Sequence, residues 1–383
     1  MVSVALVLAL LPAFQSEKDS EYDLLILSAR RKGDEKNWKG AEEDLTRAIK
    51  LNPARTEAYE WRAVVRISAG WQEKALEDFD VLIRLNDRDV RAYRSRGKLF
   101  AQLSRFREAN DDLTQALKLG PVTAELLEER GEVRRELGDH AGGLQDTTQA
   151  IDIDPRYAFA WNCRGIAKTR EGDFDGADTD LTEALKLSSQ KEVVLENLSH
   201  LRHLQGRLAE ARAAADEAAR LWPKSTMAVS RGAAARFGAR DWAGALAGFR
   251  KRLESGGDPS AFSRFYIWLA RCRLGEEKQA SEELRASLKD GKPPEDWPGA
   301  IAAYHLREIS EPDLFKAAQK GEPQVQARQK MAAHFHAGFR RAVAGDTAGA
   351  REHYLKCVET KLFQFTELAW AQDELRFFDA AKK

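Results

Sequence analysis

Cysteine is scarce in this chain of 383 residues, which contains only Cys163, Cys272 and Cys357. The three cysteines lie far apart in the sequence, and an odd number leaves one without a disulfide partner. A disulfide framework is therefore not expected. No Cys-x-x-Cys pair is present, which removes a common zinc-binding spacing. We interpret each cysteine as a small core residue and not as a nucleophile.

Sequence motifs of the common catalytic sites are also absent. The chain has no Gly-x-x-x-x-Gly-Lys-Ser/Thr phosphate loop, no Gly-x-Ser-x-Gly elbow and no His-Glu-x-x-His. His200 and His203 are three residues apart on a predicted helix, but no third metal ligand is near them in sequence, so we interpret them as polar residues that face a groove. We therefore expect no enzyme activity, no catalytic residue, no cofactor and no metal site.

The chain has no excess charge of either sign, with 61 basic and 61 acidic residues. A nucleic-acid-binding protein usually shows a basic excess, so the even balance argues against that class. The charges are interspersed, as expected for the solvated faces of many helices. Hydrophobic residues make up 43% of the chain, which is enough for a packed core.

A long apolar run occurs once, in MVSVALVLALLPAFQS at residues 1–16, and no charge precedes Glu17. The run is too short to span a bilayer. It is similar to the core and cleavage zone of a secretory signal peptide, which predicts a periplasmic or envelope location. No Lys or Arg precedes it. The alternative is therefore an apolar helix of a cytoplasmic protein, packed on the first of the repeats described below. No cysteine follows it, and no stable membrane anchor is expected beyond this segment.

A period of 34 residues organises the next part of the chain, and AWNCRGIAKTREGDFDGA at residues 160–177 shows its spacing. Seven units fit from Tyr22 to Asp258 without insertion. Positions 8 and 20 of every unit are small. The units start at Tyr22, Thr56, Val90, Ala124, Ala158, Glu192 and Thr226. Position 8 reads Ala29, Ala63, Gly97, Gly131, Gly165, Ser199 and Ala233, and position 20 reads Ala41, Ala75, Ala109, Gly143, Ala177, Ala211 and Ala245.

Small residues at fixed positions let two antiparallel helices approach closely. Glycine recurs at position 15, where a turn is predicted, and proline recurs at position 32, where a helix must stop. This pattern resembles the tetratricopeptide (TPR) helix–turn–helix repeat, which has the same period. The resemblance implies an all-α fold, a right-handed superhelical α-solenoid of about nine hairpins plus a C-terminal capping helix.

The chain is therefore divided into residues 1–16 as a signal segment, 17–258 as seven regular units, and 259–383 as less regular units. GDPS at 257–260 breaks the frame, and an eighth unit starts near Ala261. An irregular Pro-rich segment at 291–330 contains two short predicted helices, at 299–309 and 312–320. A last unit starts at Met331, and an amphipathic capping helix is predicted at 363–379.

A narrower pattern occurs in the last third of the chain, in Trp297, Tyr304, Ile309, Ser310, Phe365, Glu367, Glu374 and Leu375. These residues resemble those of the new-lipoprotein-I (NlpI) family. That family consists of TPR proteins of the bacterial cell envelope, which form dimers and bring a tail-specific protease to cell-wall hydrolases. The resemblance implies a non-enzymatic adaptor that binds proteins or peptides, and a homodimer. An intracellular TPR module unrelated to the cell wall is the alternative.

In TPR arrays, positions 2, 5, 9 and 12 of the first helix of each unit usually face a concave binding groove. One interpretation is a groove coded by charge, in which Arg91, Arg94 and Lys98 receive an acidic segment. The other is that acidic and basic rows on adjacent helices attract one another and support the stacking, with exposed pairs contributing about 0.2–1 kcal/mol each. The candidate groove residues are Glu57, Glu60, Arg91, Arg94, Lys98, Glu125, Glu128, Glu132, Phe159, Asn162, Ile166, Glu196, His200 and His203.

Overall fold

A computed structural model describes residues 4–255, 262–288, 291, 293 and 296–381, with side chains from residue 18 onward. The predicted break at 257–260, residues 1–3 and the side chains of the predicted signal segment lie outside the described part. The chain forms two compact units, Met1–Pro155 and Arg156–Lys383. All of the secondary-structure elements given below are α-helices, which confirms the all-α prediction.

The first unit consists of four helical hairpins, in which each odd-numbered helix packs against the helix that follows it. Within the described residues, no helix of either unit has the length and apolarity needed to cross a membrane. The helices are α1 (Val4–Asp34), α2 (Trp38–Leu51), α3 (Glu57–Ser68), α4 (Gln72–Leu85), α5 (Val90–Gln102), α6 (Phe106–Leu119), α7 (Ala124–Glu136) and α8 (His140–Ile153).

The second unit continues the hairpins and then becomes irregular. Its helices are α9 (Ala158–Glu171), α10 (Phe174–Leu187), α11 (Lys191–Leu204), α12 (Leu208–Leu221), α13 (Thr226–Gly238), α14 (Trp242–Glu254), α15 (Phe262–Arg273), α16 (Glu277–Ala286), α17 (Trp297–His305), α18 (Glu311–Ala317), α19 (Pro323–Val343), α20 (Thr347–Glu359) and α21 (Thr366–Ala380). Helix α19 begins eight residues before the predicted start at Met331, because Pro323 occupies its first turn, where a missing N–H costs nothing.

Close packing within the hairpins follows the small residues of the repeat. All fourteen residues at positions 8 and 20 are buried. At Gly97 an added Cβ would lie 3.1 Å from Leu113 Cγ, and at Gly165 it would lie 2.7 Å from Leu181 Cγ. The absence of a side chain at position 8 therefore sets the distance between the two helices of these hairpins.

The turn inside each hairpin requires a left-handed residue at position 15. Gly70, Gly138, Gly172 and Gly206 have φ between 77° and 84° there. A capping Asx residue follows the turn in several hairpins. For example, Asp173 accepts a hydrogen bond from the backbone N–H of Gly176 at 3.0 Å, which satisfies an orphan donor at the start of α10.

A buried ion pair also repeats from hairpin to hairpin. In each case it joins the first helix of a hairpin to the second helix of the same hairpin. In α9 and α10, Arg164 donates two hydrogen bonds of 2.8 Å to Asp180, and Lys168 Nζ lies 2.9 Å from the same carboxylate. The side chain of Asp180 is 1% exposed. The same geometry recurs in the pairs Arg62–Asp78, Arg96–Asp112 and Arg130–Asp146.

The three cysteines are buried, as expected for small core residues. Burial raises the pKa of the Cys272 thiol to about 12, and it raises the pKa of Cys357 well above its ordinary value. A thiol with a raised pKa is a poor nucleophile at neutral pH. Packing therefore accounts for Cys272 and Cys357.

Candidate binding groove

The first helices of three hairpins in the first unit, α3, α5 and α7, form a groove. Apolar side chains line the bottom of this groove. A cavity of about 410 Å³ lies between α3 and α5, and a second of about 420 Å³ lies between α5 and α7. Val64 in the first cavity is 51% exposed. Apolar lining residues are Val64, Ile67, Phe79, Leu82 and Leu99 in the first cavity, and Ala101, Phe106, Leu113 and Val133 in the second.

The three basic residues predicted for the groove, Arg91, Arg94 and Lys98, lie on α5. Two of them already form ion pairs with α7. Arg94 donates two hydrogen bonds of 2.8 Å to Glu129 of α7, and Lys98 Nζ lies 3.0 Å from the same carboxylate. Arg91 is different, because its side chain is 85% exposed and its nitrogen is 4.0 Å from Glu60. Arg94 and Lys98 therefore support the stacking of α5 on α7, and Arg91 presents its charge to solvent.

Acidic side chains dominate the α7 side of the groove. Glu125 and Glu132 are exposed and form no ion pair with a described residue, and the same is true of Glu136 beside the second cavity. Glu128 is buried, so its position on the predicted groove is not an open one. Glu57, at the start of α3, lies 3.3 Å from Arg55.

In the second unit, α9 presents one apolar side chain and one polar contact. Phe159 is 47% exposed, and Ile166 is partly buried. Asn162 is buried and accepts a 2.9 Å hydrogen bond from the side-chain amide of Asn197 on α11. Phe159 is therefore the open position on this helix, and Asn162 joins neighbouring repeats.

The structure corrects the prediction for His200 and His203, which do not face an open groove. Both are buried beneath the C-terminal segment of the chain. Arg231 donates to Nδ1 of His200 at 2.8 Å, so the other ring nitrogen carries the proton and donates to the carbonyl of Phe363 at 2.8 Å. His203 Nε2 lies 2.8 Å from a carboxylate oxygen of Asp373.

Burial also changes the acid–base properties of this covered region. It lowers the pKa of His200 well below its ordinary value, and Arg231 lowers it further. Glu196 accepts a hydrogen bond from the hydroxyl of Ser225, and burial raises the pKa of Glu196. No group of three or more His, Cys, Asp or Glu with metal-binding geometry occurs in the part of the chain that the structure describes.

The element that covers these residues is α21, the predicted capping helix. It packs on α19 and α20 and also returns to α13 and α11. Trp370 is buried and donates to the carbonyl of Ala234 at 2.9 Å. Glu374 is 3.3 Å from Arg240 and 2.5 Å from Arg273. The helix therefore does more than cover the end of the last repeat, because it occupies the first-helix face of earlier repeats.

The sequence analysis missed two kinds of contact, the Arg–Asp pairs and the contacts of α21. The Arg–Asp pairs follow the repeat period, whereas the contacts of α21 do not. The Arg–Asp pairs occur at positions 7 and 23 of successive units, so the 34-residue period contains them. The contacts of α21 with α11 join residues more than 160 positions apart, such as His203 and Asp373. No local pattern encodes a contact over that distance.

Comparison with known proteins agrees with this architecture. A family model described as tetratricopeptide repeat matches residues 27–90, 94–158 and 164–226, which is half of the chain. No curated protein matches the chain.

Among solved structures, a tetratricopeptide repeat protein from Parabacteroides merdae ATCC 43184 has a TM-score of 0.56 and 18% identity, covering 66% of this chain and 99% of that one. The pilF protein of Pseudomonas aeruginosa has a TM-score of 0.47 and 18% identity, covering 55% and 96%. YrrB, described as a TPR protein with an unusual peptide-binding site, has a TM-score of 0.39 and 21% identity, covering 48% and 95%.

Proposed function

Because this chain belongs to the tetratricopeptide repeat family, we propose that it is a non-enzymatic scaffold that binds a protein or peptide in the groove of α3, α5 and α7. TPR proteins mediate protein–protein interaction. The observation that carries the proposal is the pair of adjacent apolar cavities, with a half-exposed Val64 in one of them. Apolar surface of this kind is typical of binding grooves.

The charges around the cavities favour a bound segment with apolar side chains and basic residues. Glu132 and Glu136 flank the second cavity without ion-pair partners among the described residues, and their charge complements Lys or Arg. Arg91 beside the first cavity complements one acidic group. The balanced charge of the chain also supports a protein partner over a nucleic acid.

The experiment is a quantitative pull-down of the full chain from its own host, with two matched variants. Val64→Glu places a charge in the first cavity. Leu85→Glu places the same charge on α4, where Leu85 is 43% exposed and lines neither cavity. Loss of a specific co-purified protein with Val64→Glu, and its retention with Leu85→Glu, is the expected result. Equal retention by both variants would exclude this groove as the binding site.

We further propose that the chain acts in the bacterial cell envelope and recruits a protease or a peptidoglycan hydrolase, as a homodimer. The support is the apolar segment at 1–16 and the resemblance of Trp297, Tyr304, Phe365 and Glu374 to the NlpI family. Fractionation of the host, with mass spectrometry of the N-terminus, tests the location. An N-terminus processed near 13–16 in the envelope supports the proposal, and an intact Met1 in the cytosol contradicts it.

A further inference from the structure

A further cavity lies in the second unit, where α13, α14, α15 and α19 meet the segment before α21. Its volume is about 270 Å³. Three arginines, Arg231, Arg252 and Arg328, line it together with aromatic and methionine side chains. We call this cavity the arginine pocket.

The three arginines lack carboxylate partners, in contrast to their neighbours. No described carboxylate lies within 4.0 Å of any of the three guanidinium groups, whereas Arg240 and Arg273 both pair with Glu374. The three arginines instead contact neutral groups. Arg231 donates to His200, Arg252 donates to the hydroxyl of Ser230, and Arg328 lies over the ring of Phe365 at 4.7 Å.

Two of these guanidinium groups are also incompletely hydrogen-bonded. The Nε atoms of Arg231 and Arg252 are buried and have no hydrogen-bond partner among the described residues. A buried charge without a partner is costly, because water no longer solvates it. Consistent with this, burial lowers the pKa of Arg231 to about 10.

The nearby acids compensate this charge only in part. Glu367 accepts a 2.8 Å hydrogen bond from Tyr266, and burial raises the pKa of Glu367. Burial likewise raises the pKa of Glu196, which interacts with Arg231 at longer range. The lining of the arginine pocket contains three arginines and one acid, Glu367, so it carries an excess of positive charge.

We propose that the arginine pocket binds a carboxylate group that is attached to a small apolar body. A guanidinium group matches the two oxygens of a carboxylate. The walls formed by Phe262, Trp297 and Met331 suit an aromatic or aliphatic body. The volume is slightly below that of pockets for drug-sized ligands, which fits a small organic acid or the last residue of a peptide with a free C-terminus.

Isothermal titration calorimetry of the full chain tests this proposal with defined probes. N-acetyl-L-phenylalanine is expected to bind, and its neutral amide is expected to bind at least about tenfold more weakly, as for loss of a charge-assisted hydrogen bond. A pentapeptide ending in free phenylalanine, compared with its amidated form, distinguishes a chain end from a small acid. Binding of phenyl phosphate without binding of either carboxylate probe would overturn the choice of carboxylate.

Two variants and a control locate the site. Arg252→Gln and Arg328→Gln should each weaken binding of the carboxylate about tenfold or more. The melting temperature of the unliganded protein should be unchanged for Arg328→Gln, and unchanged or higher for Arg252→Gln, since Arg252 has a buried Nε without a partner among the described residues. Arg328 is exposed, so its variant tests the pocket even where Arg252→Gln impairs folding.

Arg212→Gln is the control, because Arg212 is exposed on α12 and does not line the cavity. The proposal is overturned if wild-type protein binds neither carboxylate probe, or if both arginine variants bind like the control. The result is independent of the groove in the first unit, because Val64→Glu should leave binding of N-acetyl-L-phenylalanine intact.

Discussion

At the scale of single residues, close packing in some hairpins requires glycine, which has no Cβ. A Cβ at Gly165 would lie 2.7 Å from Leu181 Cγ and 3.3 Å from the backbone nitrogen of Leu181. The side chain of Leu181 is fully buried, so it has little freedom to move away. Glycine at this position is therefore a packing requirement of α9 and α10.

Gly165→Leu should destabilise the protein, because the larger side chain forces α9 away from α10. Overpacking in a close-packed core typically costs about 1–3 kcal/mol of unfolding free energy. Urea unfolding followed by circular dichroism measures the change. Glu171→Leu, at an exposed position of the same helix, is the control and should change little. A Gly165→Leu protein as stable as wild type would contradict the repeat frame.

A second prediction at the residue scale concerns acid. His305 Nε2 lies 3.0 Å from His336 Nδ1, and the His305 ring stacks on Trp268 at 4.0 Å. Burial lowers the pKa of His336 to about 3 and that of His305 well below its ordinary value. His336 is therefore neutral in the folded chain near pH 5, and burial favours the neutral form of His305, whereas histidines in the unfolded chain bind protons below about pH 6.5.

The free energy of unfolding should therefore be greatest above about pH 6.5 and decrease as the pH falls from there. Urea unfolding at pH 7.5 and pH 5.0 measures this loss. His336→Gln should reduce the loss, since it removes one of the groups that must stay neutral. His140→Gln, at an exposed position on α8, should leave the loss unchanged. Equal pH dependence in all three proteins would refute the assignment to the histidine pair.

At the scale of elements, the buried ion pairs hold four of the hairpins in register. Asp180 on α10 forms ion pairs with both Arg164 and Lys168 of α9, and none of the three side chains is more than 21% exposed. Removing one partner of a buried pair is costly, because the remaining charge has no compensation. Asp180 is therefore the residue on which the charge balance of this hairpin depends.

Asp180→Ala should lower the free energy of unfolding by about 3 kcal/mol, since it leaves two largely buried cations without a carboxylate partner. Differential scanning calorimetry and urea unfolding measure the loss. Asp175→Ala, at an exposed position on the same helix, should stay within about 0.5 kcal/mol of wild type. A similar effect of the two changes would mean that the pair contributes nothing to stability.

The helices could be predicted from the sequence to the extent that the repeat is periodic. Small residues at positions 8 and 20 correctly indicate where paired helices touch, and the glycines at position 15 correctly indicate the turns. The limits of α19 could not be predicted, because Pro323 starts the helix ahead of the repeat frame. Nor could the burial of His200, since Phe363 contacts it from 163 residues away.

At the scale of the whole molecule, α21 joins the last residues of the second unit to its early hairpins. The core that contains Trp370 also contains Leu204, Phe237 and Phe339. Trp370→Ala should cost about 3–5 kcal/mol, because it leaves a cavity in this core and removes the hydrogen bond from the indole to the carbonyl of Ala234.

Hydrogen exchange provides the measurement that separates this effect from general instability. Amides of α11 and α13 should exchange faster in Trp370→Ala, whereas amides of α3 and α5 in the first unit should not change. Phe377→Ala, on the same helix at a side chain that is 44% exposed, should have a smaller effect. Uniform acceleration of exchange in both units would contradict a local role for α21.

The contacts of α21 also bear on the rate at which the chain folds. Hairpins built from neighbouring segments of about 30 residues close small loops, so they form early and can do so during synthesis. The hydrogen bond between His203 and Asp373 closes a loop of 170 residues. The second unit therefore completes its core only after residues 363–380 have left the ribosome, and until then the apolar faces of α11 and α13 stay exposed to aggregation.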